Sequence, residues 1–476
     1  MKICLVLEGC YPYVYGGVSA WMHQYIQKMK DHEFILWVIG ADSSKQGQFV
    51  YEIPKNVVQV YEVFLNDALK IKEQKGRMLH RYSAEETETL GKLMNGGRPD
   101  WNLLFQLYQK ERLNPMSYLK SSHFLETLID ICQKQYPYIA FADAFHTIRS
   151  MLLPVLYLMG TEVPQADVYH AVATGYGGLL ASMGSWLYDK PLLLTEHGIY
   201  TREREEELIR AKWVLPAFKK QWIRFFYVLS DLIYQRAFRI TSLFSRARET
   251  QIEMGCDPKR CLVIGNGIFF ERMAGIPLKK EDGWIDIGAV VRLAPIKDIK
   301  TMIYAFYELS AHRENVRLHI MGGIDDDEYA AECYSLAEQL GITGQIIFTG
   351  RIDVAVYMEK LDFTILTSIS EGQPLSVLES LAAGRPCVTT DVGCCKELLY
   401  GEPEDNLGQA GYCVPPMYRE GLAEAMEKLC ASKNRRIRLG KAGQERVSRY
   451  YRHEQMMEKY RALYQEVEEQ NGRNWV

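Results

Sequence analysis

The sequence predicts an α/β protein of two domains, each built on a parallel sheet. Short apolar segments of strand length alternate with segments whose apolar residues recur at helical spacing. A chain of 476 residues is long for one hydrophobic core, and 47% hydrophobic with 24% charged residues is an ordinary globular composition. The chain divides near residue 276, beyond which a new series opens with a strand at 287–291.

The first strand, from Lys2, feeds a loop at 8–17. A helix follows, with Val18, Trp21, Met22, Tyr25, Ile26 and Met29 at 3.6-residue spacing. Gly16 and Gly17 before that helix either let backbone N–H groups approach a phosphate or form a plain turn. The three spaced glycines of a dinucleotide site are lacking, which argues against a nicotinamide or flavin cofactor. Strands are expected at 34–39, 57–63, 168–172, 192–195, 240–243 and 261–264. Between 65 and 165 the alternation gives way to helices, including 101–108 and 124–132, which marks an insertion. His170 lies on an apolar strand and reads as core, whereas His197 follows the strand at 192–195 and is open to a structural or a functional role.

In the second series Arg292 and Lys297 follow the strand at 287–291, where open α/β sheets bind ligands. They can neutralise a diphosphate without a metal, or be two solvated loop cations. A helix is expected at 299–309, then a Gly322-Gly323 turn, and Asp325 to Asp327 read as the acidic start of a helix rather than a metal site. Arg351 and Ile352 follow the Phe348-Thr349-Gly350 segment. In Glu371-Gly372-Gln373-Pro374-Leu375-Ser376, Pro374 suits the first position of a helix whose stripe is Leu375, Leu378, Leu381 and Ala382. The free N–H groups at Gln373 to Ser376 then form an anion site. Glu371 and Glu379 bracket that helix start, although two glutamates at this spacing are also common on solvated faces. Helices are expected over 421–450 and 452–469, and Asn266 reads as a structural or hinge position.

The formal charge of −4, from 56 basic and 60 acidic residues, gives no argument for a nucleic-acid partner. The N-terminus enters a strand without signal-peptide features, and the longest apolar run, 151–159, is too short to span a bilayer. The eleven cysteines form no Cys-x-x-Cys pair. A reduced, cytoplasmic protein is expected.

Taken in order, the Arg292–Lys297 pair, the Gly322-Gly323 turn, Arg351, the paired glutamates and the Thr389-Thr390-Asp391-Val392-Gly393 run resemble the donor-binding domain of the GT4 glycosyltransferases. The helical insertion, the opening Leu5 to Tyr13 with Gly16-Gly17, and Thr195-Glu196-His197-Gly198 resemble the Pel exopolysaccharide synthase subgroup. That resemblance implies the GT-B fold: an acceptor-side Rossmann-like domain over 1–275, a nucleotide-sugar domain over 276–450, a central cleft, and a helix over 451–476 crossing back. It implies a retaining hexosyltransferase that takes a nucleotide sugar, a UDP-sugar in preference, and acts on a glycan acceptor in biofilm exopolysaccharide synthesis without metal or cofactor. Arg292, Lys297, Glu371 and His197 would be catalytic. Donor binding would fall to Gly16, Gly17, Arg351, Ile352, Gly372, Gln373, Pro374, Leu375, Ser376 and Glu379, with Glu371 on the sugar and Glu379 on the ribose. Location at the inner membrane, with synthase subunits docked on the insertion through Trp101, Leu103, Leu104, Phe105, Leu107 and Tyr108, is a further expectation. A sugar-nucleotide epimerase or a catalytically silent scaffold subunit shares the architecture.

Overall fold

The computed structural model describes residues 1–71 and 80–473. The part of the insertion at 72–79 and the last residues of the chain, 474–476, lie outside the described residues. Two compact units result, Met1–Val263 with the residues from Arg461 onward, and Ile264–Tyr460.

The first unit holds a seven-stranded parallel sheet of β1 (Lys2–Glu8), β2 (Glu33–Gly40), β3 (Val57–Phe64), β4 (Val168–Ala171), β5 (Leu192–Glu196), β6 (Arg239–Ser242) and β7 (Cys261–Val263). Their order is β3-β2-β1-β4-β5-β6-β7. β1 and β2 are near-continuous apolar runs, as strands covered on both faces require. The order reverses between β1 and β4, which opens a crevice at their carboxyl ends. His170 is core as expected. It sits between the Tyr464 hydroxyl at 2.7 Å and Thr195 Oγ1 at 2.8 Å, and burial pushes its imidazole down to about 3. Tyr464 belongs to the last helix, His453–Arg473, whose residues from Arg461 count with this unit. Arg239 fixes the same stretch by a two-pronged ion pair to Glu466.

The insertion between β3 and β4 is helical: Ala84–Met94, Trp101–Phe105, Pro115–Leu119, Ser122–Gln135 and Phe141–Met159. Ser83 and Glu86 close the first of these with a capping box. The expected apolar docking patch is corrected here. Of its six residues Leu103 is half-buried, and the other five, Trp101, Leu104, Phe105, Leu107 and Tyr108, are buried in one core cluster with Trp37 of β2 and Tyr169 of β4. A helical turn widened to π geometry follows at Gln106–Lys110, and Phe105 and Tyr108, three positions apart and so on one helix face, both turn inward. The five buried residues are additional core and cannot receive a partner.

The second unit holds β8 (Ile285–Val290), β9 (Val316–Met321), β10 (Ile346–Gly350), β11 (Phe363–Leu366), β12 (Cys387–Thr390) and β13 (Gly411–Val414) in the order β10-β9-β8-β11-β12-β13, all parallel. Its reversal falls between β8 and β11. This unit begins at Ile264, earlier than the division read from sequence, because Ile268 bridges to Arg452 and the Asn266 N–H donates to Gln373 Oε1 at 2.5 Å. At the amino ends of its strands Asp286 is buried among Lys279, Arg317 and His319 at 2.6 to 2.8 Å. Burial alone would raise that carboxyl, but the hydrogen bonds from these three groups hold it well below the usual range. All eleven cysteines are free thiols, and among the described residues no helix is long and apolar enough to cross a membrane.

Candidate functional site

In the second unit the loops after β8 and β11 are neighbours at the sheet's reversal and are tied together. The Ile369 N–H donates to the Ile296 carbonyl at 2.9 Å, and the Thr367 hydroxyl to the Lys297 carbonyl at 2.9 Å. This seats Lys297, the last residue of a tight 3₁₀ turn begun by Pro295, with its Nζ 2.6 Å from Glu371 Oε1. The Ser368 hydroxyl donates to the same oxygen at 2.5 Å. Both charged groups are largely buried. Arg292 is half exposed and forms an ion pair with Asp325. Of the three aspartates, Asp326 is the N-cap of the helix Asp327–Gln339 and Asp327 lies in its first turn, as expected, but Asp325 serves Arg292 instead. Gly322 permits this packing: a side chain there would run into the Val291 carbonyl. Arg351 follows β10 with its side-chain stem, Cγ to Nε, packed against Gly323, and Ile352 comes next.

The helix after β11 runs Leu375–Ala382, and Pro374 is its N-cap rather than its first residue. The reason is local: Pro374 has ψ 114°, still extended, so the helical turn starts one residue later. No side chain caps this terminus. The N–H groups of Leu375 and Ser376, which have no intrahelical acceptor, therefore remain for a ligand. The Gln373 side chain is engaged separately, its Oε1 accepting from the Asn266 N–H at 2.5 Å. Gly372 accepts from the Cys394 N–H at 3.0 Å. Glu379 is partly buried, and burial raises its carboxyl despite the charge of Arg272, which is itself paired with Asp353. Among the described residues no donor bonds the Glu379 carboxylate. Arg292, Lys297, Arg351, Ile352, Glu371 to Ser376 and Glu379 thus gather on the loops and helix that leave the carboxyl edge of one sheet.

In the first unit Gly16 is the N-cap of the helix Gly17–Lys28, and space is open where a side chain would stand on either glycine. His197 lies just past β5, edge-on to Trp21 with ring centres 4.5 Å apart. Burial pushes it down to about 4, so it is neutral at pH 7, and its Nε2 has no partner among the described residues. Sequence reading missed Glu8. Its carboxylate ends β1 at the reversal and accepts from the Gly177 N–H at 3.0 Å and the Tyr200 hydroxyl at 3.1 Å. The usable signal was an acid closing the first strand together with the Gly175-Tyr176-Gly177-Gly178 helix opening after β4.

Glu196, beside His197, accepts from the Tyr234 hydroxyl and from Gln251, each at 2.8 Å. Burial nonetheless raises its carboxyl from 4.5 to about 7. A carboxyl raised by folding favours the protonated form. Its contribution to stability is therefore largest below 4.5, falls as pH rises to about 7, and is constant above that. Glu196→Gln should melt increasingly above the parent as pH is raised across this window. Thermal unfolding at a series of pH values checks this, and a difference that does not change with pH contradicts it.

One group among the described residues has metal-ligand geometry. His80, Glu86 and Glu111 bring ligand atoms within 4.8 Å, in the insertion and apart from the strand ends. Glu86 there already caps its helix and bonds His80 at 3.0 Å.

These two sheets, each flanked by helices and each with a reversal of strand order, make the GT-B fold. Over 98% of its length the chain superposes on 99% of Anabaena HepE, solved in complex with UDP and glucose, with a TM-score of 0.60 at 14% identity. The chain belongs to the family described as "Domain of unknown function (DUF3492)", whose model matches residues 1–259. Residues 276–446 match the model "Glycosyl transferases group 1". Relatives include the alpha-monoglucosyldiacylglycerol synthase of Streptococcus pneumoniae, 33% identical over 23% of this chain and 24% of that one. Another is the N-acetyl-alpha-D-glucosaminyl L-malate synthase of Bacillus anthracis, 25% identical over 44% and 54%. The chain spans less than two thirds of the length of these curated relatives.

Proposed function

We propose that this protein is a retaining glycosyltransferase that moves a hexose from a nucleoside diphosphate sugar, with UDP the favoured nucleotide, to a growing exopolysaccharide or other glycan. The observation that carries the reading is the Lys297–Glu371 pair beside an uncapped helix N-terminus at a sheet reversal. Cleavage of the C1–O bond leaves negative charge on the diphosphate. Lys297, Arg292 and the Leu375 and Ser376 N–H groups supply fixed positive charge to receive it. With Glu371 and Asp325 as counter-ions, both cations keep their place before a ligand arrives. Glu371 accepts from sugar hydroxyls, and neutral His197 offers a hydrogen bond rather than a charge. The backbone around Arg351 and Ile352 meets the base. Gly16 and Gly17 leave room at a helix start for the diphosphate or the acceptor. The proposed place of action is the cytoplasmic side of the inner membrane, alongside synthase subunits that export a Pel-like biofilm polymer.

The test is incubation of the pure protein with UDP-, GDP- and ADP-sugars and a glycan acceptor. Nucleoside diphosphate together with glycosylated product supports transfer. Epimerised sugar without product indicates an epimerase, and no turnover of any donor indicates a scaffold subunit.

Glu379, with no donor bonded to it, suits the ribose diol. That contact is equal in ground and transition states, so Glu379→Ala should raise the donor KM with little change in kcat. Steady-state kinetics decide, and an unchanged KM with reduced kcat contradicts the role. Turnover should also persist in excess EDTA, because fixed cations do the work of Mg²⁺. Loss of activity restored by Mg²⁺ or Mn²⁺ would overturn the metal-free mechanism.

A further inference from the structure

From 208 to 230 the chain contains no acidic residue, while Arg210, Lys212, Lys219, Lys220 and Arg224 fall within that stretch of a protein whose formal charge is −4. The stretch joins the helix Tyr200–Arg210 to the helix Lys219–Arg236 in the first unit. Its inner side is anchored, with Val214, Phe218 and Trp222 buried. Its outer side presents Trp213, Ile209 and Leu215 at 68%, 58% and 46% exposure. Trp213 is held edge-on to Trp222, ring centres 5.6 Å apart, and the Lys219 ammonium closes the turn on the Ile209 carbonyl at 2.5 Å. The apolar tip is therefore a supported shape. Around it Arg210, Lys212, Lys220 and Arg224 are exposed, and none of the four forms an ion pair among the described residues.

We propose that segment 209–224 is a contact with an anionic lipid bilayer, in which Trp213, Ile209 and Leu215 enter the headgroup region and the surrounding cations face lipid phosphates. An exposed indole with two aliphatic side chains ringed by uncompensated Lys and Arg is the composition that rests in a membrane interface. The acidic groups nearby do not cancel it. Glu207 is paired with Arg204, Asp231 with Arg98 at 2.8 Å, and Glu205 accepts from the Tyr227 hydroxyl at 3.3 Å; Glu206 stands a turn before the patch. Lys220 and Arg224 also line, with Arg98, Tyr227 and the carboxylates Glu205 and Asp231, a cavity of about 640 Å³ in which the three cations outnumber the two acids. This contact is independent of the transfer reading and survives if no donor is turned over.

The full chain should co-sediment with phosphatidylglycerol-containing vesicles and not with pure phosphatidylcholine vesicles, and salt should release it. Lys212→Ala combined with Lys220→Ala should weaken binding about 30-fold, at roughly 1 kcal/mol per charge. Trp213→Ser should weaken it comparably, and brominated lipid should quench the parent more than Trp213→Phe. All these positions are exposed, so the melting temperature should be unchanged. Failure to bind anionic vesicles overturns the proposal, as does equal binding by parent, lysine-pair and Trp213→Ser proteins.

Discussion

Lys297→Ala and Glu371→Gln should each reduce transfer by about 10²- to 10³-fold, the usual cost of losing one preorganised group that meets developing charge. The two side chains form one 2.6 Å pair, seated by loops that follow adjacent strands. Glu371→Gln keeps its shape and can still accept from the Ser368 hydroxyl, so the fold should hold while the charge that positions Lys297 is lost. Lys297→Ala removes the cation itself. Because each residue places the other, the double variant should lose little more than the worse single one. The measurement is kcat/KM for nucleoside diphosphate release, read beside the melting temperature. Activity within about threefold of the parent for both variants would remove these residues from the chemistry.

The sequence made this pair visible in part. Strand-length apolar runs placed every strand of the first sheet to within a residue or two, because parallel strands covered on both faces are written as local runs of β-branched and aliphatic residues. Glu371, Glu379, Arg292 and Lys297 stood out by spacing and by position after strands. Their pairing did not, since Lys297 and Glu371 are 74 positions apart and meet only because β8 and β11 are neighbours. Asp325 was hidden for a similar reason. In sequence it is one of three acids before a helix, and only the close approach of the turn at Gly322 to the end of β8 makes it the partner of Arg292. The insertion misled in the opposite direction. A surplus of apolar residues on a short helix looks like an available face, but the cover supplied by the sheet and the neighbouring helices puts most of that surplus inside.

The second large effect is expected at a residue with no side chain. Gly393 follows β12 at φ 55°, and its Cα stands against the loop that carries Glu371. A methyl group there would strike the carbonyl oxygens of both Glu371 and Gly372. That contact is a structural seam, because the next amide, Cys394 N–H, donates to the Gly372 carbonyl at 3.0 Å and starts the helix Cys395–Tyr400. Gly393→Ala thus adds about 1–2 kcal/mol of left-handed backbone strain and forces the Glu371 loop away from Lys297. The strain alone is within what a domain of this size can carry, and the protein should fold with a lowered melting temperature. The displacement is more costly, since a shift of about 1 Å in a positioned group can cost about 10²-fold in rate. Gly393→Ala should therefore lose transfer on that scale while the protein still melts cooperatively, and donor binding should weaken less than turnover because Glu379 and the helix amides are not pushed directly. Near-parental turnover would mean either that the loop absorbs the methyl without moving Glu371 or that Glu371 is not where the sugar sits, and the activity of Glu371→Gln separates the two.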